Sequence, residues 1–188
     1  LYGASGSLRI VNPGTGQTVT EIGDLGVMMT SIAFAPDGTL YGMDNNYLYR
    51  INKSTAAVTR LSPADLDLWG IDFAPDGTLY GVSDTTGQLV TLDAATGAIV
   101  SSVGATGIVF PLDIDFAPDG FLYAVTMTTP PALYRIDPGT AAGTLVGSYS
   151  SGLWGLASQT AVSGILGLLP DGPAAETPRA DADELYQA

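Results

Sequence analysis

The stretch that decides the fold is "IDFAPDGTLYG", Ile71 to Gly81. Its Pro-Asp-Gly core is a turn signal, because proline presets φ and glycine tolerates the left-handed position. Apolar residues flank the turn on both sides and predict two short strands. Near-copies run from Ile32 to Gly42 and from Ile114 to Ala124, at offsets of 39 and 43 residues. A unit of about forty residues therefore repeats along the chain.

A second phrase keeps the same rhythm and predicts a second turn in each unit. In it an Asp or Asn can accept a hydrogen bond from the backbone two residues further on. The four copies are Val11 to Gly16, Ile51 to Ala56, Leu92 to Gly97 and Ile136 to Ala141. Two turns and four apolar segments predict a blade of four antiparallel strands, apolar on both faces because neighbouring blades cover it.

Four such units predict an all-β fold, a β-propeller with four blades of four antiparallel strands. The first unit lacks its innermost strand, and "LWGLAS", Leu153 to Ser158, repeats that strand near the other end of the chain. We therefore expect a C-terminal strand to complete the N-terminal blade. The predicted domain is residues 1–158, with blades at about 1–30 plus 154–158, 31–69, 70–112 and 113–153, followed by an apolar segment and acidic tail at 159–188.

The repeated phrases resemble those of bacterial NHL, SMP-30 and YVTN-type propellers, in which Asp-Gly-x-Leu-Tyr and Ile-Asp-x-x-Thr-Gly recur. The resemblance covers roughly residues 1–157 and implies the propeller architecture. It implies no single activity, since these families include hydrolases, lyases and binding modules. The chain departs from the catalytic members because it contains no histidine.

Composition narrows the function classes further. The 188 residues include no cysteine and no histidine, which excludes disulfides, thiolate metal sites and Ser-His-Asp catalysis. Six basic residues against 19 acidic ones give a net charge of −13, so we expect no nucleic-acid partner. No apolar stretch approaches the ~20 residues of a membrane helix, so we expect no membrane insertion. Low lysine content and a first residue other than Met favour a secreted, extracellular bacterial protein whose signal was removed.

The loops that vary between units are predicted to share one face, where function usually lies. Aromatic planes beside carboxylates and amides suit a sugar or a peptide. The alternative is that the tryptophans only fill the blade junctions. The candidate ligand-binding residues are Trp69, Trp154, Phe110, Asp44, Asn45 and Asn46.

Asp72 and Asp115 occupy one equivalent position on two predicted inner strands. Two carboxylates near the axis suit Ca²⁺, or an acid and base pair as in glycoside hydrolysis. The alternative is that both are hydrogen-bonded scaffold. We predict no cofactor, and Ca²⁺ is the one candidate metal.

The sequence favours a non-catalytic structural or interaction module, because most hydrolase and lyase sites need an imidazole. The alternatives are a carbohydrate-binding propeller or, less favoured, an SMP-30-like hydrolase or a lyase. The chain itself is the expected partner, in an oligomer or filament, unless the C-terminal segment caps its own propeller. The predicted self-association residues are Leu153, Trp154, Leu156, Val162, Ile165, Leu166, Leu168 and Leu169. The predicted core is Ile32, Phe34, Leu40, Ile71, Phe73, Leu79, Ile114, Phe116 and Leu122.

Overall fold

The structure, a computed structural model, describes residues 1–62, 66–150 and 155–156, and these are organised entirely as strands and turns. The fifteen strands are β1 (Tyr2–Ala4), β2 (Ser7–Val11), β3 (Thr18–Asp24), β4 (Ser31–Phe34), β5 (Leu40–Met43), β6 (Leu48–Ile51), β7 (Val58–Arg60), β8 (Gly70–Phe73), β9 (Leu79–Val82), β10 (Gln88–Leu92), β11 (Ile99–Ala105), β12 (Pro111–Phe116), β13 (Leu122–Thr126), β14 (Ala132–Ile136) and β15 (Gly143–Ser148). Within these ranges there is no helix with the length and hydropathy needed to cross a bilayer.

The strands form four antiparallel sheets in chain order, which are the blades of a four-bladed β-propeller. Strands β4 to β7, β8 to β11 and β12 to β15 each form a four-stranded sheet, and β1 to β3 form the described part of the first blade. The inner strands β4 and β12 both lie against β8, around the axis. The predicted fold is confirmed. Of the predicted closing strand, only Gly155 and Leu156 belong to the described residues, so the closing strand and the predicted domain boundaries stay predictions.

The Pro-Asp-Gly turns close the inner hairpins as the sequence predicts. In the third blade Phe73 pairs with Leu79, and the Gly77 N–H donates to the Ala74 carbonyl at 2.9 Å. The Asp76 carboxylate accepts the Thr78 N–H at 2.9 Å, which holds the turn from within. These turns and the Asn or Asp turns of the second phrase share one face, which we call the Pro-Asp-Gly face. The variable loops lie on the opposite face.

A tyrosine of one blade meets a phenylalanine on the next inner strand at three blade junctions. The edge-on or tilted rings bury apolar area and keep the favourable aromatic geometry. The ring centroids lie 5.5 Å apart for Tyr2 and Phe34, 5.1 Å for Tyr41 and Phe73, and 5.3 Å for Tyr80 and Phe116.

The predicted core is mostly confirmed. Its buried members are Leu40, Ile71, Phe73, Leu79, Ile114, Phe116 and Leu122. Phe34 is the exception, with 41% of its surface exposed, and Ile32 is half-buried. The prediction for Phe34 is wrong because its ring packs against the half-buried Tyr2 and lies near the exposed Lys53 ammonium, and it borders an open cavity.

Candidate functional site

The inner strands bring small and acidic residues together at the propeller axis. One repeat position holds Ser31, Gly70, Asp113 and Gly155, and the position two residues further on holds Ala33, Asp72 and Asp115. The strands approach closely at the first of these layers. A Cβ atom on Gly70 would lie only 2.8 Å from the Asp113 Cα, so this position accepts nothing larger than glycine.

Asp113 joins three separate parts of the chain. Its Oδ1 atom accepts a hydrogen bond from the Ser31 hydroxyl of the second blade at 3.0 Å. Its Oδ2 atom accepts the backbone N–H of Leu156 at 2.9 Å. The side chain is buried within the fourth blade, so one carboxyl group ties the second blade and Leu156 to the fourth.

Burial raises the pKa of Asp113 to about 7, because a charged carboxylate is costly in a dry site, and the nearby Asp115 charge adds to the effect. The geometry around Ser31 agrees with a protonated group. Its hydroxyl has one hydrogen but faces two acceptors, the Asp113 Oδ1 and the Ile71 carbonyl at 3.3 Å. When Asp113 carries a proton, it can donate to Ser31, which then donates to Ile71.

Asp72 lies in the next layer and is also held by backbone. Its Oδ2 atom accepts the Phe116 N–H at 2.7 Å, and the Phe73 N–H also contributes. Burial raises the pKa of Asp72 to about 6 against the lowering effect of these bonds, and Asp115 adds further repulsion. Asp72 therefore remains mostly ionised at neutral pH.

Three hydrogen bonds from backbone N–H groups to side chains cross between neighbouring segments at the propeller axis, and they share one arrangement. The inner edge of each inner strand presents backbone N–H groups that no further strand can pair. In each case a polar side chain of one inner strand accepts an N–H from the inner strand of the following blade or, for Asp113, from Leu156, which the sequence predicts to lie on such a strand. The pairs are Ser31 with Ile71 at 3.3 Å, Asp72 with Phe116 at 2.7 Å and Asp113 with Leu156 at 2.9 Å.

The metal hypothesis receives no support from the described ranges. Three or more acidic, histidine or cysteine side chains nowhere gather there in an arrangement that could hold a metal ion. The geometry of Asp72 instead fits the hydrogen-bonded scaffold that the sequence analysis left as the alternative. A carboxylate that accepts backbone N–H groups has less capacity left for Ca²⁺, which takes six to eight oxygen ligands.

A cavity of about 520 Å³ opens along the axis on the Pro-Asp-Gly face. Every blade contributes to its wall. The lining residues are Leu1, Tyr2, Ile32, Ala33, Phe34, Pro36, Asp72, Phe73, Ala74, Pro75, Asp115, Phe116, Ala117, Pro118 and Leu156. The wall is mostly apolar, and Asp72 and Asp115 are its two acidic groups. We call this space the axial cavity.

A second space, a groove of about 580 Å³, lies on the outside of the second blade. Turn residues border it, including Lys53, whose Nζ donates to the Gly38 carbonyl and lies 5.5 Å from the Phe34 ring centroid. Its polar groups close the turns of one blade, whereas the axial cavity gathers residues from all four. The axial cavity is therefore the stronger candidate for a ligand site.

The predicted ligand loop on the opposite face is organised around Asp44. The Asp44 carboxylate accepts the N–H groups of Asn46 at 3.0 Å and Tyr47 at 2.7 Å, and also the Tyr49 hydroxyl at 2.8 Å. These bonds make Asp44 a turn-closing residue. The Asn45 carbonyl accepts the Leu68 N–H at 2.9 Å, and the buried Asn45 Oδ1 has no hydrogen-bond partner within the described part of the chain.

The predicted aromatic residues are distributed over two blade crossings. Trp69 is half-buried and follows Leu68, so it lies beside the Asp44 to Asn46 loop. Phe110 is 56% exposed, and its carbonyl accepts the Met127 N–H at 3.1 Å, so it lies beside a different loop. Trp154 is outside the described residues. Ligand binding at these residues stays a prediction.

Asp113 is the axial residue that the sequence analysis missed. The equivalent position carries Ser31, Gly70 and Gly155 in the other units. A single acidic residue among small ones was the available signal, since small residues at an axis imply close packing. A carboxylate in such a place must be hydrogen-bonded.

Fold and axial cavity together define the chain as a four-bladed β-propeller. No protein-family model matches the sequence, and none of the curated proteins matches it. Solved propeller structures do match. A nidogen/laminin complex is 15% identical at a TM-score of 0.59, covering 81% of this chain and 62% of that one. An auxiliary nutrient binding protein from Bacteroides thetaiotaomicron is 17% identical at a TM-score of 0.58, and the match covers 81% of this chain and 40% of that one.

An enzyme is also among the similar structures. A catalytically inactive virginiamycin B lyase from Staphylococcus aureus with quinupristin is 18% identical at a TM-score of 0.50, covering 75% of this chain and 48% of that one. The chain spans between 42% and 62% of the first three solved structures it matches. At these identities the likeness shows the propeller fold alone, and the NHL, SMP-30 or YVTN type stays a prediction. The similar propellers have mixed functions, some enzymatic and some in binding.

Proposed function

We propose that this chain is a non-catalytic interaction module that binds a ligand in the axial cavity. One observation carries the proposal: residues from all four blades wall a cavity of about 520 Å³, within the usual ~300–1,000 Å³ of ligand sites. The half-buried Asp72 and the buried Asp113 beside it accept backbone N–H groups. Their geometry supports a structural role for these acids rather than acid and base chemistry.

The test uses Nile red, a neutral dye whose emission rises in apolar surroundings. We expect saturable binding of one dye per chain. Ala117 lines the cavity, so Ala117→Trp should fill it and weaken dye binding at least tenfold. Ala35 holds the same repeat position but is not among the lining residues, so Ala35→Trp is the matched control. Equal binding by all three proteins, with unchanged melting temperatures, would remove the axial cavity as the site.

A second candidate function, self-association, is favoured by the outer edges of two blades. The outermost strands β11 and β15 contain no charged residue, whereas β3 contains Glu21 and β7 contains Arg60. Charged residues on an edge strand normally discourage pairing with another chain. Both neutral edges are also apolar and exposed. Their exposed large hydrophobic residues are Ile99 at 48%, Val100 at 67%, and Leu145 and Val146 at 56% each.

Sedimentation velocity at increasing protein concentration tests this second candidate. Val146→Lys should shift the distribution toward monomer, because a charge on β15 opposes edge pairing. Thr59→Lys is the matched control, since it adds the same charge to the exposed edge of β7. Monomeric wild-type protein at all concentrations would reject self-association. Deletion of 160–188 tests the predicted role of the C-terminal segment, which lies outside the described residues.

The remaining expectations rest on the sequence. We propose an extracellular location because the composition is low in lysine and lacks cysteine. Carbohydrate binding at Trp69 and Phe110 is the alternative ligand function, and a glycan array compares the wild type with Trp69→Ala. Of the residues predicted for that site, the Asp44 carboxylate already accepts three hydrogen bonds within its own loop, which favours the axial cavity instead.

A further inference from the structure

Three arginines hold one repeat position on the third strands of their blades, and two of them have a partner within their own blade. Arg9 on β2 donates to the Glu21 carboxylate on β3 at 3.2 Å. The Arg135 guanidinium on β14 lies 4.4 Å from the centroid of the Phe121 ring. Arg50 on β6 makes neither contact. Within the described ranges its guanidinium has no hydrogen bond, ion pair or ring contact.

The repeat explains why Arg50 lacks both kinds of partner. The first blade places a carboxylate opposite its arginine on the neighbouring strand, whereas in the second blade Thr59 on β7 faces Arg50. The fourth blade places a phenylalanine directly after its Pro-Asp-Gly turn, and the second blade has Thr39 at that position. Two short polar side chains therefore replace the carboxylate and the ring.

The space beside these threonines is the groove of about 580 Å³ on the outside of the second blade, which we call the second-blade groove. Its described lining contains two cationic side chains, Arg50 and Lys53, and one carboxylate, Asp37. The Asp37 carboxylate already accepts the Thr39 N–H at 2.8 Å, as part of its own turn. Positive charge is therefore in excess among the groups that border the groove.

The donors of the two cations suit an oxyanion. The Lys53 Nζ atom donates to the Gly38 carbonyl at 2.6 Å, and an ammonium has two further N–H groups to offer. The Arg50 guanidinium presents five N–H donors in a planar fork that matches two oxygens of a carboxylate or a phosphate. Because hydrogen bonds between charged groups are about twice as strong as neutral ones, an oxyanion satisfies these donors better than an uncharged group.

The net charge of −13 on the whole chain does not cancel this local preference. Charges farther away than about 10 Å are largely screened at an ionic strength of ~0.1 M, whereas the cations of the groove would touch the ligand. The other polar lining residues include Asn52, Ser54 and Thr59, which offer amide and hydroxyl groups. Such groups suit a ligand body that itself carries hydroxyl groups.

We propose that the second-blade groove binds an acidic sugar, whose carboxylate or phosphate lies between the Arg50 guanidinium and the Lys53 ammonium. The unpartnered guanidinium carries the choice of an anion, and the amide and hydroxyl lining carries the choice of a sugar body. The second-blade groove and the axial cavity share no lining residue. This second site therefore does not depend on the ligand function proposed for the axial cavity.

Three sugars of similar size test the ligand class: glucuronate, glucose 6-phosphate and glucose. Each is titrated against the full chain by isothermal titration calorimetry at neutral pH and ~0.1 M salt, where distant charges are screened. We expect at least one of the two anions to bind tenfold or more tightly than glucose. The tighter anion identifies a carboxylate or a phosphate as the natural group. Affinities for both anions no greater than for glucose would overturn the proposal.

The variant Arg50→Gln assigns the effect to the groove. It removes the guanidinium charge from an exposed side chain, so the affinity for the bound anion should fall at least tenfold. Arg135→Gln is the matched control, because Arg135 holds the same repeat position in the fourth blade and does not line the groove. Equal losses in both variants would overturn the proposal, since only the net charge of the chain would then matter.

The variant Thr59→Glu tests the same site by adding a partner. It places a carboxylate opposite Arg50, as in the first blade, and should also reduce anion affinity at least tenfold. Thr144→Glu is its control, because Thr144 faces Arg135 in the fourth blade. Unchanged affinity in Thr59→Glu would contradict the site. Nile red binding should be the same in all four variants, so a failure of the dye to bind concerns the axial cavity alone.

Discussion

The ring of Tyr41 packs against the ring of Phe73 across the boundary between the second and third blades, with 5.1 Å between the ring centroids. Tyr41 belongs to β5 and Phe73 to the inner strand β8, so this contact links two sheets that share no strand pairing. Tyr2 contacts Phe34 and Tyr80 contacts Phe116 in the same way, so the tyrosine of one blade packs against the phenylalanine of the next. Blade packing therefore depends on a residue pair that the repeat supplies at each of these junctions.

The first prediction concerns the phenylalanines of these pairs. Phe73→Ala should lower the free energy of unfolding by about 3–5 kcal/mol, because Phe73 is 7% exposed and its removal leaves a cavity in the core. Phe34→Ala is the matched comparison at the same repeat position and should cost clearly less, because Phe34 is 41% exposed. Urea unfolding of both variants measures the difference, and equal losses would contradict the burial argument.

The second prediction concerns the pH dependence of stability. The pKa of Asp113 is raised to about 7 in the folded chain, from an ordinary value of 3.8. The folded state therefore binds more protons than the unfolded state, and stability falls as pH rises through this range and levels off above about 7. Asp72, with its pKa raised to about 6, contributes in the same direction over the lower part of that range.

Urea unfolding between pH 5 and pH 8 measures this dependence. Asp113→Asn should reduce the fall in stability above pH 6, because the amide cannot ionise and still offers an oxygen to the Leu156 N–H. Asp76→Asn is the control. The hydrogen bond from the Thr78 N–H lowers the pKa of Asp76 below its ordinary value of 3.8. The stability that Asp76 contributes is therefore lost only as pH falls below that value, outside the measured interval. A wild-type protein with constant stability over this interval would show that Asp113 ionises normally.

The third prediction concerns two glycines at the same position of the second turn. Gly16 and Gly97 both have φ of 69°, so alanine at either position pays the left-handed penalty, roughly 1–2 kcal/mol. At Gly97 a Cβ would also lie 2.7 Å from the Ser62 Cα, whereas at Gly16 it would meet nothing within 4 Å. Gly97→Ala should therefore cost about 1–3 kcal/mol more than Gly16→Ala in thermal unfolding. Equal costs would mean that Ser62 moves aside freely.

The fourth prediction concerns calcium. A ligand that binds only the folded state raises the melting temperature with its concentration. We expect neither added Ca²⁺ nor a chelator to change the melting temperature, because the Asp72 carboxylate accepts backbone N–H groups and no metal-holding cluster occurs in the described ranges. Differential scanning calorimetry with and without each reagent makes the measurement. A saturable rise with Ca²⁺ that Asp115→Asn abolishes would restore the metal hypothesis.

Local sequence signals were sufficient for the fold. The Pro-Asp-Gly turn at Asp76 and its copies predicted the β8 and β9 hairpin and its equivalents, because a tight turn fixes the pairing of the two strands beside it. The same signals do not predict the contacts between inner strands at the propeller axis. The partner of Asp113 across the axis, Ser31, is 82 residues away, and no local pattern encodes that distance.

The position of the cavity also required the structure. Variable loops directed the sequence analysis to the face of Trp69 and Phe110, on the general rule that such loops carry function. The layer at Asp113 is closely packed and hydrogen-bonded, as the 2.8 Å approach of a Gly70 Cβ shows. The cavity lies beyond that layer, at the Pro-Asp-Gly face, where the phenylalanines and prolines border it. The volumes of the side chains around the axis determine where the cavity opens, and the repeated sequence phrases do not predict how those side chains pack.

The hydrogen bonds of Asp113 have a consequence for the order of folding. Each inner hairpin joins residues a few positions apart, whereas the Asp113 bonds join residues 43 and 82 apart, and the entropy lost on closing a loop grows with its length. Hairpins should form first and the ring last, so a nascent or refolding chain passes through an open ring whose inner strands expose unpaired backbone. That intermediate is the form most prone to aggregate. Pulsed hydrogen exchange should therefore show the Ala74 amide, which donates to the Thr78 carbonyl within the inner hairpin, protected well before those of Ile71 and Leu156.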